Sequence, residues 1–200
     1  MTPIAFRQML EELDPRAAAE HSTLNHHVNG MNYLCLHRSE RMTVKIYFID
    51  AVLVSRNPGD YLVTPHTHRY AFESTVLAGE IDHVRLAENT CDEGEPYDRF
   101  IYLPEDRKRI EAGSLHLVEI ERKTHTAGSD YWNDTRDIHT LAVSRRPTLL
   151  GLVQFGDTVR NSVVYLKPGA EMKYPKSYTP TTMQAEYLRR LALDQMDRDA

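Results

Sequence analysis

The chain of 200 residues is poor in cysteine, with two, and in tryptophan, with one. Cys35 lies in an apolar, strand-like run and Cys91 in a polar turn, and their spacing suits neither a disulfide framework nor a thiolate metal site. One buried and one exposed thiol are expected. Long apolar runs are also missing: nothing approaches the roughly 20 residues of a membrane span. The opening MTPIAFRQMLEELDPRAAAEH carries carboxylates where a secretory signal needs an unbroken apolar stretch. A soluble, cytoplasmic protein with no membrane partner is the expectation. A concentrated positive charge is absent too, because the net charge is −5 and the lysines and arginines are scattered in short groups. That excludes a polyphosphate-binding face, so nucleic acid is not an expected partner beyond a single base or nucleotide in a pocket. There is no repeat, low-complexity tract or linker, and at 41% hydrophobic composition the length suits one domain over 1–200.

The first 25 or so residues have helical spacing, with Ile4, Met9, Leu10 and Leu13 on one side and a stop at Asp14-Pro15, giving an N-terminal helical cap over 1–30. From 32 to 166 the pattern changes to short segments rich in Val, Ile, Tyr, Leu and Thr. Turn signals break them at Asn57-Pro58-Gly59, Glu93-Gly94, Ala112-Gly113, Ala127-Gly128 and Phe155-Gly156-Asp157. This predicts an all-β antiparallel sandwich or barrel. The clearest strands are Thr43–Val54, Phe72–Leu77, Glu80–Leu86, Ser114–Glu121, Ile138–Ser144 and Val163–Leu166. A C-terminal helix over 180–197 offers Met183, Tyr187, Leu188, Leu191 and Met196 for packing.

Two stretches carry chemistry. In the first, Thr64 to Glu80, His66 and His68 stand two apart; in a strand both project to one face and can grip one ion. A short gap and an apolar strand come next, ending in Leu77-Ala78-Gly79-Glu80, where the glycine makes a tight turn. The second runs from Gly128 to Val143 and contains His139. Together they resemble the two motifs of the cupin superfamily. The first motif is Gly, five residues, His-x-His, three or four residues, Glu, six residues, Gly. The second keeps its spacing from Gly128 to His139, with Asp134, Arg136 and Val143 where the family usually has Pro, Gly and Asn. The resemblance implies a cupin double-stranded β-helix (jelly-roll) barrel with a short helix at each terminus, and a divalent metal on His66, His68 and His139.

Counting back six residues from Gly79 puts Phe72, not Glu73, at the family's acidic position. A register set by Gly79 turns Phe72 inward and Glu73 outward, leaving a three-histidine site as in the cysteine-dioxygenase-like cupins; a bulge after His68 would instead bring in Glu73 as a fourth ligand. No cysteine stands at the Phe72 position, so the Cys-Tyr crosslink known in cysteine dioxygenases is not expected. Imidazole ligands favour a transition metal over magnesium or calcium. The resemblance points to Fe(II), with Zn, Ni or Mn as alternatives.

Tyr70, His83 and Arg85 are candidate cavity residues: His83 as acid, base or hydrogen-bond donor and Arg85 as a carboxylate or phosphate clamp, each set against an ordinary strand residue on the outer face. Tyr102, Tyr131 and Trp132 are candidates for the cavity mouth. His21, His26, His27 and His37 read as solvated or capping residues, His116 either, like His83, as a cavity acid, base or hydrogen-bond donor or as an outer-face strand residue, His125 as exposed, and Glu105 to Arg109 as a solvated loop. The leading functional reading is a mononuclear non-haem Fe(II) oxygenase using O2 on a small polar substrate. A metal-assisted isomerase, lyase or hydrolase acting on a sugar or keto acid, and a non-catalytic small-molecule-binding barrel, stand as alternatives. The apolar run Thr43–Val54 needs a cover or a partner, which suggests a homodimer.

Overall fold

A computed structural model describes residues 1–49, 60–91, 93–105, 108–142, 146–171 and 176–199. The chain opens with α1 (Pro3–Glu11), capped by the Thr2 hydroxyl, and α2 (Pro15–His21), whose first turn the Asp14 carboxylate caps at the Arg16 N–H. Asp14-Pro15, expected as a stop, therefore also starts a second helix: a proline needs no N–H at the first helical position and its φ is already helical. At the other end Thr181 and Gln184 form a reciprocal capping box for α3 (Thr182–Arg198).

Between the helices lie β1 (Met31–Arg38), β2 (Met42–Ile49), β3 (Phe72–Ala78), β4 (Glu80–Asn89), β5 (Glu95–Leu103), β6 (Lys108–Thr126), β7 (Asp130–Asn133), β8 (Ile138–Ala142), β9 (Thr148–Phe155) and β10 (Ser162–Leu166). The expected strand Thr43–Val54 is seen to Ile49, and its remainder, the turn Asn57-Pro58-Gly59, and Val143 and Ser144 lie outside the described residues. Lys108 and Arg109, expected in a loop, begin β6. Ala112-Gly113, expected as a turn, also lies inside β6. Gly113 has φ +96° where the pairing steps from Asp98–Ser114 to Phe100–Glu111, so the extra residue is absorbed as a bulge and the strand continues.

The strands form two antiparallel five-stranded sheets, ordered β1-β2-β9-β3-β7 and β10-β5-β6-β4-β8. β2 pairs with β9, β3 with β7 and β4 with β6. The segment 61–67 pairs with β8, through Tyr61–Ala142 and His66–His139. Thus β2, 61–67, β3 and β4 pair with β9, β8, β7 and β6, the second set running in reverse chain order. Two strands wound together in this way make a double-stranded β-helix. The other side of 61–67 bonds to β10, where Thr67 N–H donates to the Val163 carbonyl at 2.9 Å and Tyr165 N–H to the Pro65 carbonyl at 3.0 Å. The segment thereby joins the two outer strands of the second sheet and curls it.

Both faces of the first sheet are covered. Val44, Ile46 and Phe48 pack outward against Phe6 and Leu10 of α1 and Leu188 of α3, while Tyr47 and Ile49 join Phe72, Val76, Leu150 and Leu152 inside the barrel. β2 lies between β1 and β9, so the described part of the run expected to need a cover or a partner, Thr43–Ile49, is paired on both edges within the chain. Gly79 makes the turn from β3 to β4 at φ +79°, and a Cβ there would stand 2.3 Å from the Pro147 carbonyl oxygen.

Candidate metal centre

His66 and His139 are joined by a reciprocal backbone pair, each N–H donating to the other's carbonyl at 3.0 Å. Directly opposed residues in an antiparallel ladder project to one face, and His68, two residues on, projects there as well. The ring centroids are 4.6 Å apart for His66 and His68 and 5.0 Å apart for the two pairs involving His139. One ligand nitrogen from each histidine lies within 4.8 Å of the others.

The donor set fits a divalent ion. His66 Nδ1–H donates to the Thr64 carbonyl at 2.7 Å, which fixes the tautomer and leaves Nε2 with its lone pair free for a ligand. His68 Nε2 and His139 Nε2 face each other at 2.9 Å. Two nitrogens about 2.1 Å from one ion and roughly at right angles to each other would stand about 3.0 Å apart. Burial pushes all three imidazoles down from the ordinary 6.5, His68 and His139 well below it, where repulsion from His66 adds to the effect. They are neutral at physiological pH and able to ligate. His139 Nδ1 is buried and, among the described residues, has no hydrogen-bond partner.

Phe72 faces the cluster, its ring centroid 4.8 Å from His68 and 5.4 Å from His139. Glu73, the conditional fourth ligand, is on the opposite face of β3, where its carboxylate takes the Met1 ammonium at 2.5 Å; no bulge brings it inward. Tyr70 lines the cavity with its ring 5.0 Å from His68, and burial raises its phenol to about 12. His83 is buried in the interior, not on the outer face, stacked on Tyr131 at 4.2 Å and 5.3 Å from His139. Its imidazole is lowered to about 4, chiefly by burial. Arg85 is not a cavity residue: it pairs with Asp137 at 3.2 Å and Glu121 at 3.5 Å on the surface.

Of the expected aromatic mouth, Tyr102 lines the cavity, Tyr131 is buried beside His83, and Trp132 is exposed next to Phe155. His125, expected exposed, is buried, because it ends β6 on the interior side against Tyr131. Cys35 is buried and Cys91 exposed.

The cavity, about 1040 Å³, also draws in His26 and His27, expected as solvated or capping residues, and Lys45, which the sequence reading did not single out. His26 and His27 reach it from a turn in which both Asn25 and His27 have positive φ. Asn25 receives an N–H bond from Gly30 and donates its own N–H to Asn32 Oδ1, so the turn is held by side chains. The His27 ring lies 6.0 Å from His66. Lys45, from the inner face of β2, lines the same cavity. Its signal was the period of two in Thr43-Val44-Lys45-Ile46-Tyr47, which was ambiguous because both faces of β2 are covered.

The decisive observation is that the reversed pairing of the two halves brings the His-x-His segment and His139 face to face. The chain has a cupin fold. No protein-family model and no curated protein matches it. Similar solved structures include a double-stranded β-helix protein of Klebsiella pneumoniae, with 11% identity, 72% of this chain and 91% of that one covered, and a TM-score of 0.40. A DMSP lyase of Ruegeria pomeroyi has 15% identity, 72% and 55% coverage and a TM-score of 0.40. An RmlC-like cupin of Shewanella frigidimarina has 14% identity, 70% and 87% coverage and a TM-score of 0.37. The chain thus spans about half the length of the lyase. Among the described residues no helix is long and apolar enough to cross a membrane.

Proposed function

We propose that this cupin is a metal-dependent enzyme, with His66, His68 and His139 holding one Fe(II) for O2-dependent oxidation of a small polar molecule. The observation that carries the reading is the convergence of three neutral imidazole nitrogens within 4.8 Å of one another, with His66 and His68 lining the cavity. When bound, such an ion supplies Lewis acidity and open coordination positions for substrate and O2. The chain's own residues do the rest. The Thr64 carbonyl orients His66. Phe72 covers His68 and His139 and keeps water from that side of the cluster. The Tyr70 phenol, protonated at neutral pH, stands beside His68 as a hydrogen-bond donor to a bound molecule.

The test is metal content by plasma mass spectrometry on protein purified anaerobically without a histidine tag, together with His66→Ala and His139→Ala. Close to one iron per chain, lost in both variants, supports the proposal, and O2 consumption is then measured with candidate substrates. Zinc or nickel at that stoichiometry replaces it with Lewis-acid isomerase, lyase or hydrolase chemistry. No metal in any preparation leaves a small-molecule-binding barrel.

A further inference from the structure

Thr43, Lys45, Tyr47 and Ile49 alternate onto the inner face of β2. Lys45 stands opposite Cys35 of β1 and Leu152 of β9, both buried, so an ammonium is set into an apolar row of the barrel wall. Its Nζ donates to Gln154 Oε1 at 2.8 Å and lies 5.0 Å from the centre of the Tyr33 ring. Both contacts hold the ammonium without neutralising it, and among the described residues Lys45 has no carboxylate partner. Gln154 in turn stands opposite Phe72, whose ring touches His68 and His139, so the amide draws the ammonium toward the level of the histidine cluster. The charge is felt at His26, His27 and His68.

An uncompensated cation inside a protein is costly and is retained where something of opposite charge meets it. Beside a histidine cluster that holds a divalent cation, it would add a second positive charge to a cavity whose described lining also carries Asp60, Glu95 and Glu171. We propose that Lys45 is the anion anchor of this site, binding the carboxylate of a short acid whose second polar group reaches the histidine cluster. The inference rests on reading that cluster as the metal centre. It selects small carboxylates over neutral sugars. A single ammonium flanked by an amide and an aromatic face suits one carboxylate, whereas phosphate recognition favours the forked donors of arginine.

The test uses L-lactate and its neutral counterpart lactamide as probes in titration calorimetry on the full chain, with and without one equivalent of Co(II). The proteins are wild type, Lys45→Met and Lys45→Arg. The wild type is expected to bind lactate at least tenfold more tightly than lactamide. Lys45→Met loses at least tenfold in lactate affinity with lactamide unchanged, and Lys45→Arg keeps most of the preference. No lactate preference in the wild type, or equal lactate affinity in wild type and a folded Lys45→Met, overturns the assignment. If Lys45→Met does not fold, Lys45→Gln takes its place in the same comparison. The Co(II) absorption band separates the two readings. Co(II) binding equal in wild type and Lys45→Met supports an anchor distinct from the ligands, whereas lactate preference without any Co(II) binding sinks the metal centre and leaves the anchor standing.

Discussion

Acid should unfold the metal-free protein steeply, and His83 isolates the cause. This imidazole is only 3% exposed, stacked on Tyr131, with an Nε2 that has no partner among the described residues, and its pKa falls from 6.5 to about 4. A histidine with a lowered folded pKa binds its proton more readily in the unfolded chain. Stability is therefore intact above about 6.5 and is lost as the pH falls from there toward about 4. Between pH 7 and pH 5 one such group removes about 2 kcal/mol. His26, also lowered to about 4, adds a smaller amount because it is only half-buried, and His66, His68 and His139 shift in the same direction. Urea unfolding in the presence of a chelator at pH 7, 6 and 5 measures the slope. His83→Phe keeps a ring against Tyr131 and removes the titration, so it should lose about 2 kcal/mol less than the wild type between pH 7 and pH 5. Equal losses in the two proteins would refute the burial argument for His83.

Removing Phe72 should cost about 3–5 kcal/mol in Phe72→Ala, since the ring is 2% exposed, and chemical denaturation will show it. The same variant should admit water to the histidine cluster, read as faster metal loss to a chelator. Gly79→Ala forces a side chain into positive φ against the Pro147 carbonyl and should lower the melting temperature by several degrees, seen by circular dichroism. Arg85→Ala removes only surface ion pairs, so metal content and melting temperature should stay close to wild type; a lost metal would place Arg85 in the site after all. Glu73→Gln should likewise leave metal content unchanged, because the carboxylate bonds to the Met1 ammonium on the other face of β3.

The β-rich middle of the chain, the two histidine stretches and the terminal helices were legible because period, turn residues and His-x-His spacing are local properties. The inward register of Phe72 came from Gly79 for the same reason: a glycine turn sets the facing of every residue in the strand before it. The start of α2 at Pro15 was legible in principle, since Asp-Pro is a helix opening as well as a stop, and the choice between them depends on whether residues 16–21 can continue a helix. The bulge at Gly113 was not legible, because whether a glycine ends a strand or is absorbed within it depends on the partner strand.

By itself, then, the sequence determined which residues can ligate and which strands alternate, because those depend on neighbours a few positions away. The tertiary structure decided the facings that no local turn sets. It sent Arg85 outward, buried His83 and His125, and brought His26, His27 and Lys45 to the cavity, because facing in a curled and doubly covered sheet is set by pairing between segments far apart in the chain. A lysine on β2 reads as solvated until α1 and α3 cover the other face of the sheet; only then is its ammonium inside.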